Sequence, residues 1–305
     1  MNRSRTLALL LALPLALLAG CKKKTEGTGE PGQTAQGQKK TIQNIGSDTM
    51  VNLAQAWAEE YAKFSAVVSV EVSGGGTGQG VAALINGTAD VANASRKLEP
   101  EEIEKAKKAH DGHEPMEFMV GYDALSVYVH KDNPLEQISI EELGDLYREG
   151  GKLDSWDQLG VKAIPGGKDN KIVRVSRQNN SGTYHYFREV VVGKKADFKA
   201  GSLDMNGSKD VVELVGRTPT AIGYSGLGYA TKQVKILKVS KKKGEPGVAP
   251  TIATTLDKTY PIARPLFMYT PGQPSPQVKA YLDWVMSPMG QKIVEHTGYV
   301  PLQAK

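Results

Sequence analysis

The sequence has 305 residues, a single cysteine, and no apolar run long enough to cross a bilayer. One cysteine cannot form a disulfide within the chain. The apolar run from Leu7 to Leu18 is shorter than the stretch of about 20 residues that spans a membrane as a helix. The mature protein is therefore expected not to span a membrane.

Motifs for nucleotide binding and hydrolysis are also missing. The glycines in the run Gly74–Gly80 fit no GxGxxG register, and the chain has neither a Walker A pattern nor a GxSxG nucleophile elbow. Among the five histidines, His110 and His113 form the one close pair, in a charged helix end without an HExxH frame. Nucleotide binding and metal-dependent catalysis therefore have little support, and no cofactor is expected.

The first twenty residues carry the pattern of a secretory signal. Arg3 and Arg5 precede the apolar run, and the small residues Ala19 and Gly20 follow it. The next residue is Cys21, and this arrangement resembles the bacterial lipobox, in which the signal is cut before the cysteine and the cysteine carries lipid. We expect a signal peptide over 1–20 and a lipid on Cys21. The alternatives are a stray thiol or a secretory signal without lipid.

Residues 21–40 are expected to form a flexible tether from the lipidated cysteine. The stretch from Lys22 to Lys40 contains no large apolar residue, so it cannot bury enough surface to order itself. The tether would hold the folded part near a membrane surface. The formal net charge of the whole chain is +5, a balance too mild to imply a nucleic-acid partner.

The remaining residues, 41–305, exceed one typical domain and indicate two lobes around separate cores. Strand-like runs at 41–46 and 67–72 flank a helix-like run at 49–64, which is the pattern of a βαβ unit. One face of that helix carries apolar side chains at helical spacing, namely Leu53, Trp57 and Tyr61. Strand-like and helix-like segments alternate further along the chain as well. The sequence therefore predicts an α/β fold.

Two extended stretches are candidates for chain crossings between the lobes. Gly121–Pro134 is a β-rich run that ends in a turn signal, and Ala221–Tyr229 is a run punctuated by glycines. We place the first lobe at 41–125 plus 223–305 and the second lobe at 126–222.

Three short turns are the most informative feature of the chain. They are Ser47-Asp48-Thr49, the glycine-rich run Gly74–Gly80, and Ser181-Gly182-Thr183. Each follows a strand-like run and precedes a helix-like run, so each presents unpaired backbone N–H groups that can bind an anion. Arg177 lies four residues before Ser181, and Arg96 follows another strand-like run. Together these features predict an oxyanion site.

The motifs that surround these turns carry a resemblance to a known family. In chain order they read IGSDTM, SGGGTGQGV, ADVANASRKL, GYDALSVYV, RQNNSGTYHYF and AIGYSGLGY. They resemble the phosphate-binding lipoprotein of bacterial phosphate ABC importers, over nearly all of 41–302. The resemblance implies a two-lobed periplasmic-binding-protein-like fold of type II, with the ligand cleft between the lobes and closure by a hinge motion.

The resemblance also implies a set of phosphate-binding residues. Positions that match the family's phosphate contacts are Ser47, Asp48, Thr49, Thr77, Arg177, Ser181, Gly182 and Thr183. Backbone N–H groups and hydroxyls are neutral donors that can replace water around four oxygens, and an arginine adds a charge-assisted bond.

The chain departs from the family at one position. Well-known members have an aspartate that accepts the proton of hydrogen phosphate, whereas this chain has Ser95 followed by Arg96. We include both residues in the predicted site, and we hypothesise that Asp48 supplies the missing acceptor. The alternative for Arg96 is a surface residue that opens the helix beginning near Glu99.

These features predict a monomeric binding protein with no chemistry of its own. It would capture inorganic phosphate outside the cytoplasmic membrane, in the periplasm or at the cell surface, and deliver it to the transmembrane subunits of an ABC permease. A second hypothesis keeps the fold but changes the ligand to another tetrahedral oxyanion, such as sulfate, molybdate or a phosphonate. A third hypothesis, a secreted phosphate-ester hydrolase, requires metal ligands or an activated nucleophile, and the sequence motifs support neither.

Overall fold

The computed structural model describes residues 40–302, so the predicted signal peptide, Cys21 and all of the tether before Lys40 lie outside the described residues. Strands and helices alternate through the described range, which confirms the α/β prediction. The strands are β1 (Lys40–Gly46), β2 (Val68–Ser73), β3 (Val91–Ala94), β4 (Met116–His130), β5 (Gln137–Ser139), β6 (Val173–Arg177), β7 (Leu203–Met205), β8 (Ala221–Gly226), β9 (Val234–Ile236), β10 (Lys238–Ser240) and β11 (Ala263–Thr270).

The helices lie between these strands and at the end of the described range. They are α1 (Val51–Phe64), α2 (Thr77–Ile85), α3 (Pro100–Ala109), α4 (Ile140–Tyr147), α5 (Gly182–Phe187), α6 (Ser208–Arg217), α7 (Ile252–Leu256), α8 (Pro276–Met286) and α9 (Pro288–His296). Short 3-10 turns occupy Asp48–Met50, Trp156–Leu159 and Leu227–Tyr229, and a π turn follows α5 at Arg188–Gly193. Within residues 40–302 we find no helix whose length and apolar character would let it span a bilayer.

The predicted βαβ unit is present at the start of the described range. Strands β1 and β2 pair in parallel, and α1 connects them. The helix buries the predicted face of Leu53, Trp57 and Tyr61. The Trp57 ring nitrogen donates to the carbonyl of Gly290 in α9 at 2.8 Å. Burying a large apolar side chain contributes about 1.5 to 3 kcal/mol, so this face fixes α1 against the core.

Most of the described strands belong to one sheet, in the order β2-β1-β3-β11-β4-β8-β6-β7, with β9 also paired to β4. Strands β2, β1 and β3 are parallel, so their carboxyl ends meet at one edge. Strand β11 enters antiparallel between β3 and β4. Its register with β4 sets Arg264 directly opposite Asp123. The topology thus gathers the turns after the parallel strands and adds one charged pair from the centre of the sheet.

Two apolar clusters form the main cores. The first cluster surrounds Trp57 and the second surrounds Trp156, and the chain passes between them at two places. Strand β4 contributes Val120 to the first cluster and Leu125 to the second. The chain returns just before β11, since Ile262 packs in the second cluster and Leu266 in the first. The crossing expected in Gly121–Pro134 therefore lies within β4.

The stretch Ala221–Tyr229, where the other crossing is expected, forms β8 and the 3-10 turn that follows it, and the crossing there stays a prediction. Strand β8 packs Ile222 and Tyr224 into the second cluster. Its glycines serve close packing, because a Cβ on Gly223 would lie 3.0 Å from the side chains of Val211 and Val215. A Cβ on Gly228 would lie 2.9 Å from the ring of Tyr299, which packs in the first cluster, so the end of this stretch lies against that core.

The second cluster also includes residues that the predicted boundaries assign to the first lobe. Those buried residues include Tyr224, Leu237, Val239, Tyr260 and Ile262. They pack with the core that the range 126–222 builds, so their packing favours a return to the first lobe near Ala263. The lobe boundaries themselves stay a prediction.

Candidate functional site

The candidate site lies where the parallel strands end. Ser47 follows β1, Thr77 begins α2 after β2, Ser95 follows β3, and Gly182 begins α5 after β6. In open α/β sheets, ligands bind outside the carboxyl ends of the strands. The structure brings these four turns together around one set of buried hydroxyls, which we call the hydroxyl cluster. Its members are Ser47, Thr49, Thr77, Ser95 and Thr183.

One half of the hydroxyl cluster joins the turns after β1, β2 and β3. Ser47 Oγ donates to Ser95 Oγ at 2.9 Å. Thr77 Oγ1 lies 3.4 Å from Ser95 Oγ and accepts from the backbone N–H of Ser95 at 3.2 Å. All three residues are buried. A hydroxyl can donate or accept, so these groups can reorient around an oxyanion.

The other half of the cluster joins the turn after β1 to α5. Thr49 Oγ1 and Thr183 Oγ1 lie 2.8 Å apart. One guanidinium nitrogen, Arg264 Nη2, donates to Thr183 Oγ1 at 2.9 Å and to Thr49 Oγ1 at 3.2 Å. Arg264 Nη1 also donates to the carbonyl of Ser95 at 3.1 Å. This arginine therefore connects three of the four turns.

Arg264 and its partner Asp123 are not among the site residues predicted from the sequence. The two side chains are almost fully buried, and Arg264 donates to Asp123 Oδ2 through Nη2 at 2.8 Å and through Nε at 3.1 Å. The remaining oxygen, Asp123 Oδ1, accepts from the backbone N–H of Leu227 at 3.2 Å. A charged residue inside an apolar strand is rarely buried without a partner, and both positions show this signal in the sequence.

Arg177 reaches the cluster from β6 and pairs with Asp48. Its Nη2 donates to Asp48 Oδ2 at 3.1 Å and to the carbonyl of Asn206 at 2.8 Å, and its Nη1 donates to Ser208 Oγ at 2.9 Å. Burial lowers the pKa of Arg177, and the nearby charge of Asp48 opposes that shift. Arg177 Nε is buried and has no hydrogen-bond partner among residues 40–302. This arginine keeps a donor that an anion could use.

Asp48 contacts the glycine-rich turn as well as Arg177. Its Oδ1 accepts from the backbone N–H of Gly75 at 3.0 Å. The carbonyl of Asp48 accepts from Tyr229 Oη at 2.5 Å, and the carbonyl of Thr49 accepts from Tyr299 Oη. The two tyrosine bonds hold the backbone of the turn after β1 in place.

The structure places the Arg96 side chain on Glu102. Arg96 forms two hydrogen bonds to the Glu102 carboxylate, both at 2.7 Å, and a third to the carbonyl of Lys97 at 2.8 Å. Burial by itself lowers the pKa of Arg96, but the bonds and charge of Glu102 raise it overall. The arrangement is the one expected of a residue that opens α3. A ligand role for Arg96 stays a prediction.

The turn before α5 is built by Ser181. Its hydroxyl accepts from the backbone N–H of Thr183 at 3.1 Å and of Tyr184 at 3.4 Å, which caps the helix. Gly182 then approaches the cluster closely, since a Cβ there would lie 2.3 Å from Thr77 Oγ1 and 2.6 Å from Ser95 Oγ. Only glycine fits at this point, because any side chain would displace two hydroxyls.

Asn180 fastens the glycine-rich turn to the segment before α5. Its side-chain nitrogen donates to the carbonyl of Gly75 at 2.8 Å, and its own carbonyl accepts from the N–H of Gly78 at 3.0 Å. Gly76 has φ +95°, and a Cβ there would lie 2.7 Å from the Asn180 carbonyl oxygen. We call these contacts the Asn180 clasp. They involve no charge and no cluster hydroxyl.

His185 is the one histidine near the predicted site. Its Nε2 donates to the carbonyl of Asn179 at 2.8 Å, so the ring fastens the first turn of α5 to the segment before it. Burial and the charge of Arg96 lower the pKa of His185. Among residues 40–302, no group of three His, Cys, Asp or Glu side chains is arranged to hold a metal ion.

The charges of the site balance, since two arginines face two aspartates. An anion that enters the cluster would meet neutral donors from hydroxyls and backbone N–H groups, with two arginines behind them. Such donors stabilise an anion without the cost of burying an unpaired cation. The arrangement is suited to binding a small tetrahedral oxyanion.

Comparison with known proteins identifies what this chain is similar to. A family model described as a PBP superfamily domain matches residues 28–289. The phosphate-binding protein PstS of Pseudomonas aeruginosa is 34% identical over 284 residues, which cover 90% of this chain and 86% of that protein. Protein SphX of Synechococcus elongatus is 33% identical over 287 residues, which cover 90% of this chain and 81% of that protein.

Solved structures are similar as well. A structure from Clostridium perfringens with bound phosphate, described as a phosphate ABC transporter substrate-binding protein, superposes with a TM-score of 0.74 at 28% identity and covers 86% of this chain and 100% of that chain. An ABC-type phosphate transport receptor from Vibrio cholerae has a TM-score of 0.65 at 26% identity, with the same coverage of 86% and 100%.

Proposed function

The chain belongs to the PBP superfamily, and from this we propose that it captures inorganic phosphate and delivers it to an ABC permease for import. The relatives that carry the name phosphate-binding protein cover most of the chain. The predicted resemblance to this family and the predicted periplasmic-binding-protein-like fold are confirmed. The proposal for this chain rests on one observation, which is that four turns present buried hydroxyls to a common point beside two buried arginines.

The ligand contacts that we propose follow from the donors at that point. Hydroxyls of the hydroxyl cluster and backbone N–H groups of the turns would surround the phosphate oxygens. Arg177, whose Nε has no partner among residues 40–302, and Arg264 would supply charge-assisted bonds. Both residues are buried, so these bonds would act in a low dielectric and would be stronger than the same bonds in water.

We propose that phosphate binding closes a cleft between two lobes. The turns after β1, β2 and β3 would belong to one lobe, and the segment from Arg177 to Thr183 would belong to the other. Because phosphate would contact both sides, its binding energy would favour the closed state. The Asn180 clasp and the Arg177–Asp48 pair would form at the same time.

The cellular setting is part of the proposal. The binding protein would have a signal peptide over 1–20, and a lipid on Cys21 with a tether to residue 40 would anchor it to a membrane, in the periplasm or at the cell surface. It would act there as a monomer, without catalysis, beside the transmembrane subunits of its permease. Intact-mass analysis of membrane-extracted protein tests the lipid, and an unmodified Cys21 would contradict it.

A second candidate ligand is another tetrahedral oxyanion, above all sulfate. The observation that favours it is Ser95, a hydroxyl that accepts from Ser47 and can donate to an oxyanion that carries no proton. A site with few fixed hydrogen-bond acceptors discriminates weakly against sulfate, which carries no proton to donate. The hypothesis that Asp48 is the acceptor is compatible with its position, although its two oxygens bond Gly75 and Arg177.

Calorimetry with the full chain tests the proposed function. The protein is purified in detergent, partly unfolded and refolded to remove bound ligand, and titrated with phosphate in the presence and absence of sulfate. We expect micromolar or tighter phosphate binding that sulfate does not displace. Binding of sulfate in place of phosphate would transfer the function to the second candidate, and binding of neither would overturn the proposal.

A further inference from the structure

A pocket with basic walls lies beside the hydroxyl cluster, and we call it the basic groove. Its lining residues lie within the segments 96–99, 185–194 and 264–267, and its volume is about 540 Å3. The lining residues include five cations and two carboxylates. The cations are Arg96, Lys97, Arg188, Lys194 and Arg264, and the carboxylates are Glu99 and Glu189.

The walls of the basic groove continue directly into the hydroxyl cluster. Arg96 follows Ser95 in the chain, and His185 lies two residues after Thr183. Arg264 belongs to both places, because it lines the groove and donates to Thr49 and Thr183. The cluster itself is buried. An anion that leaves the groove towards Arg264 would therefore meet the hydroxyls of the cluster next.

The two lysines of the basic groove form long, exposed ion pairs. Lys97 Nζ lies 3.6 Å from Glu117 and its side chain is 72% exposed, and Lys194 Nζ lies 3.4 Å from Glu189 with 77% exposure. Both distances exceed that of a good hydrogen bond, and exposed pairs of this kind contribute little. Arg96 adds a buried Nε without a partner among residues 40–302. The groove thus offers cationic groups that an anion could engage.

We propose that the basic groove is an outer anion-collecting site, which speeds the association of phosphate with the hydroxyl cluster. This inference rests on the proposed function, because it concerns the route to the same site. The lining has three more cations than carboxylates, and a cleft with an excess of one sign of charge raises the local concentration of an oppositely charged ligand and its association rate. The lysines would act on the approach of phosphate, and the final complex would not need them.

The test separates the association rate from the dissociation rate. Calorimetry gives Kd, release of radiolabelled phosphate into excess unlabelled phosphate gives the dissociation rate, and their ratio gives the association rate. The variant is the full chain with Lys97→Glu and Lys194→Glu. The control variant carries Lys63→Glu and Lys279→Glu, which make the same charge change at side chains that are 71% and 62% exposed outside the groove.

We expect the groove variant to associate at least about threefold more slowly than the wild type at about 10 mM salt, with an unchanged dissociation rate. The difference should shrink at about 150 mM salt, where the screening length falls to about 8 Å. The control should associate at nearly the wild-type rate.

An unchanged association rate, or an equal loss in the control variant, would overturn the inference while leaving the proposed function intact. A faster dissociation rate with an unchanged association rate would also overturn it, because the lysines would then act in the final complex. A wild-type chain that does not bind phosphate would overturn the proposed function, and this inference with it.

Discussion

Two arginine–aspartate pairs meet at the hydroxyl cluster, and they are built in different ways. Arg264 and Asp123 face each other in the register of two adjacent strands and form two hydrogen bonds to one oxygen. Arg177 and Asp48 are joined by one bond of 3.1 Å, and Asp48 lies in a turn at the end of β1. The side chain of Asp48 is 15% exposed, whereas that of Asp123 is fully buried.

The difference indicates which pair is a permanent part of the fold and which pair would form only when the cleft closes. The Arg264–Asp123 pair is held by the ladder between β4 and β11, so an opening of the cleft would leave it intact. The Arg177–Asp48 pair connects a turn after β1 with strand β6, so the same opening would break it. We infer that Arg264 is a preorganised ligand group and that Arg177 joins the site on closure.

The largest expected effect comes from breaking the Arg264–Asp123 pair. In Asp123→Asn the new amide cannot accept at both of its ends, so either Arg264 or the Leu227 N–H meets a donor. Removing one partner of a buried ion pair costs about 3 to 5 kcal/mol. Denaturant unfolding should show that loss in the free energy of unfolding, with a clearly smaller loss in Asp48→Asn.

The double variant Asp123→Leu with Arg264→Met is the control for this prediction. It removes both charges, so it should recover much of the lost stability. Its phosphate affinity should be lower than that of the wild type, because Arg264 is absent. A double variant that binds phosphate like the wild type would show that Arg264 is only structural. Equal losses of stability in Asp123→Asn and Asp48→Asn would contradict the proposal that only the Arg264–Asp123 pair is a permanent part of the fold.

The next effect concerns the pair that closure would form. Arg177→Ala leaves the phosphate without one of its two cations, and a charge-assisted hydrogen bond contributes about 1.5 to 3 kcal/mol. Calorimetry should show phosphate affinity at least about tenfold lower. The control is Arg174→Ala, on the same strand, where the arginine pairs with Asp154 at 3.0 Å. An unchanged Kd in Arg177→Ala would mean that Arg177 does not contact phosphate.

The contrast between the pairs also explains how far the sequence could predict the site. Arg177 and Asp48 lie in short motifs beside turns, and local turn chemistry can be read from a sequence. Arg264 and Asp123 are 141 residues apart, and strand pairing alone brings them together. The order of strands in a sheet depends on tertiary packing, so a single sequence does not give the register that joins this pair.

Local signals also account for the elements that were predicted well and for those that were not. The helix face of Leu53, Trp57 and Tyr61 follows from spacing alone, and the structure buries it. The glycines of Ala221–Tyr229 are predicted to mark a crossing, and in the structure Gly223 accommodates Val211 and Val215 whereas Gly228 accommodates Tyr299. The sequence shows that close packing or a bend occurs at such glycines, but it does not show which neighbour requires it.

A smaller effect is expected on ligand selectivity from Asp48→Asn. If Asp48 accepts the proton of hydrogen phosphate, the variant loses that acceptor and gains a donor, which favours an oxyanion without a proton. The preference for phosphate over sulfate should fall by about tenfold, which corresponds to about 1.4 kcal/mol. Competition calorimetry with the two anions measures it. An unchanged preference would exclude Asp48 as the acceptor.

The smallest expected effect comes from the Asn180 clasp, which joins the same two sides as Arg177 and Asp48 without any charge. Asn180→Ala removes the bond of 2.8 Å to the Gly75 carbonyl but leaves the backbone bond to Gly78. One neutral hydrogen bond contributes about 0.5 to 1.5 kcal/mol, so affinity should fall by about two- to tenfold. Because the clasp would stabilise closure and touch no anion, the affinities for phosphate and for sulfate should fall by the same factor. The control is Asn179→Ala, at an exposed neighbour, which should change neither affinity. A loss confined to one anion would mean that Asn180 acts on the ligand itself, and closure would then depend on the charged pair alone.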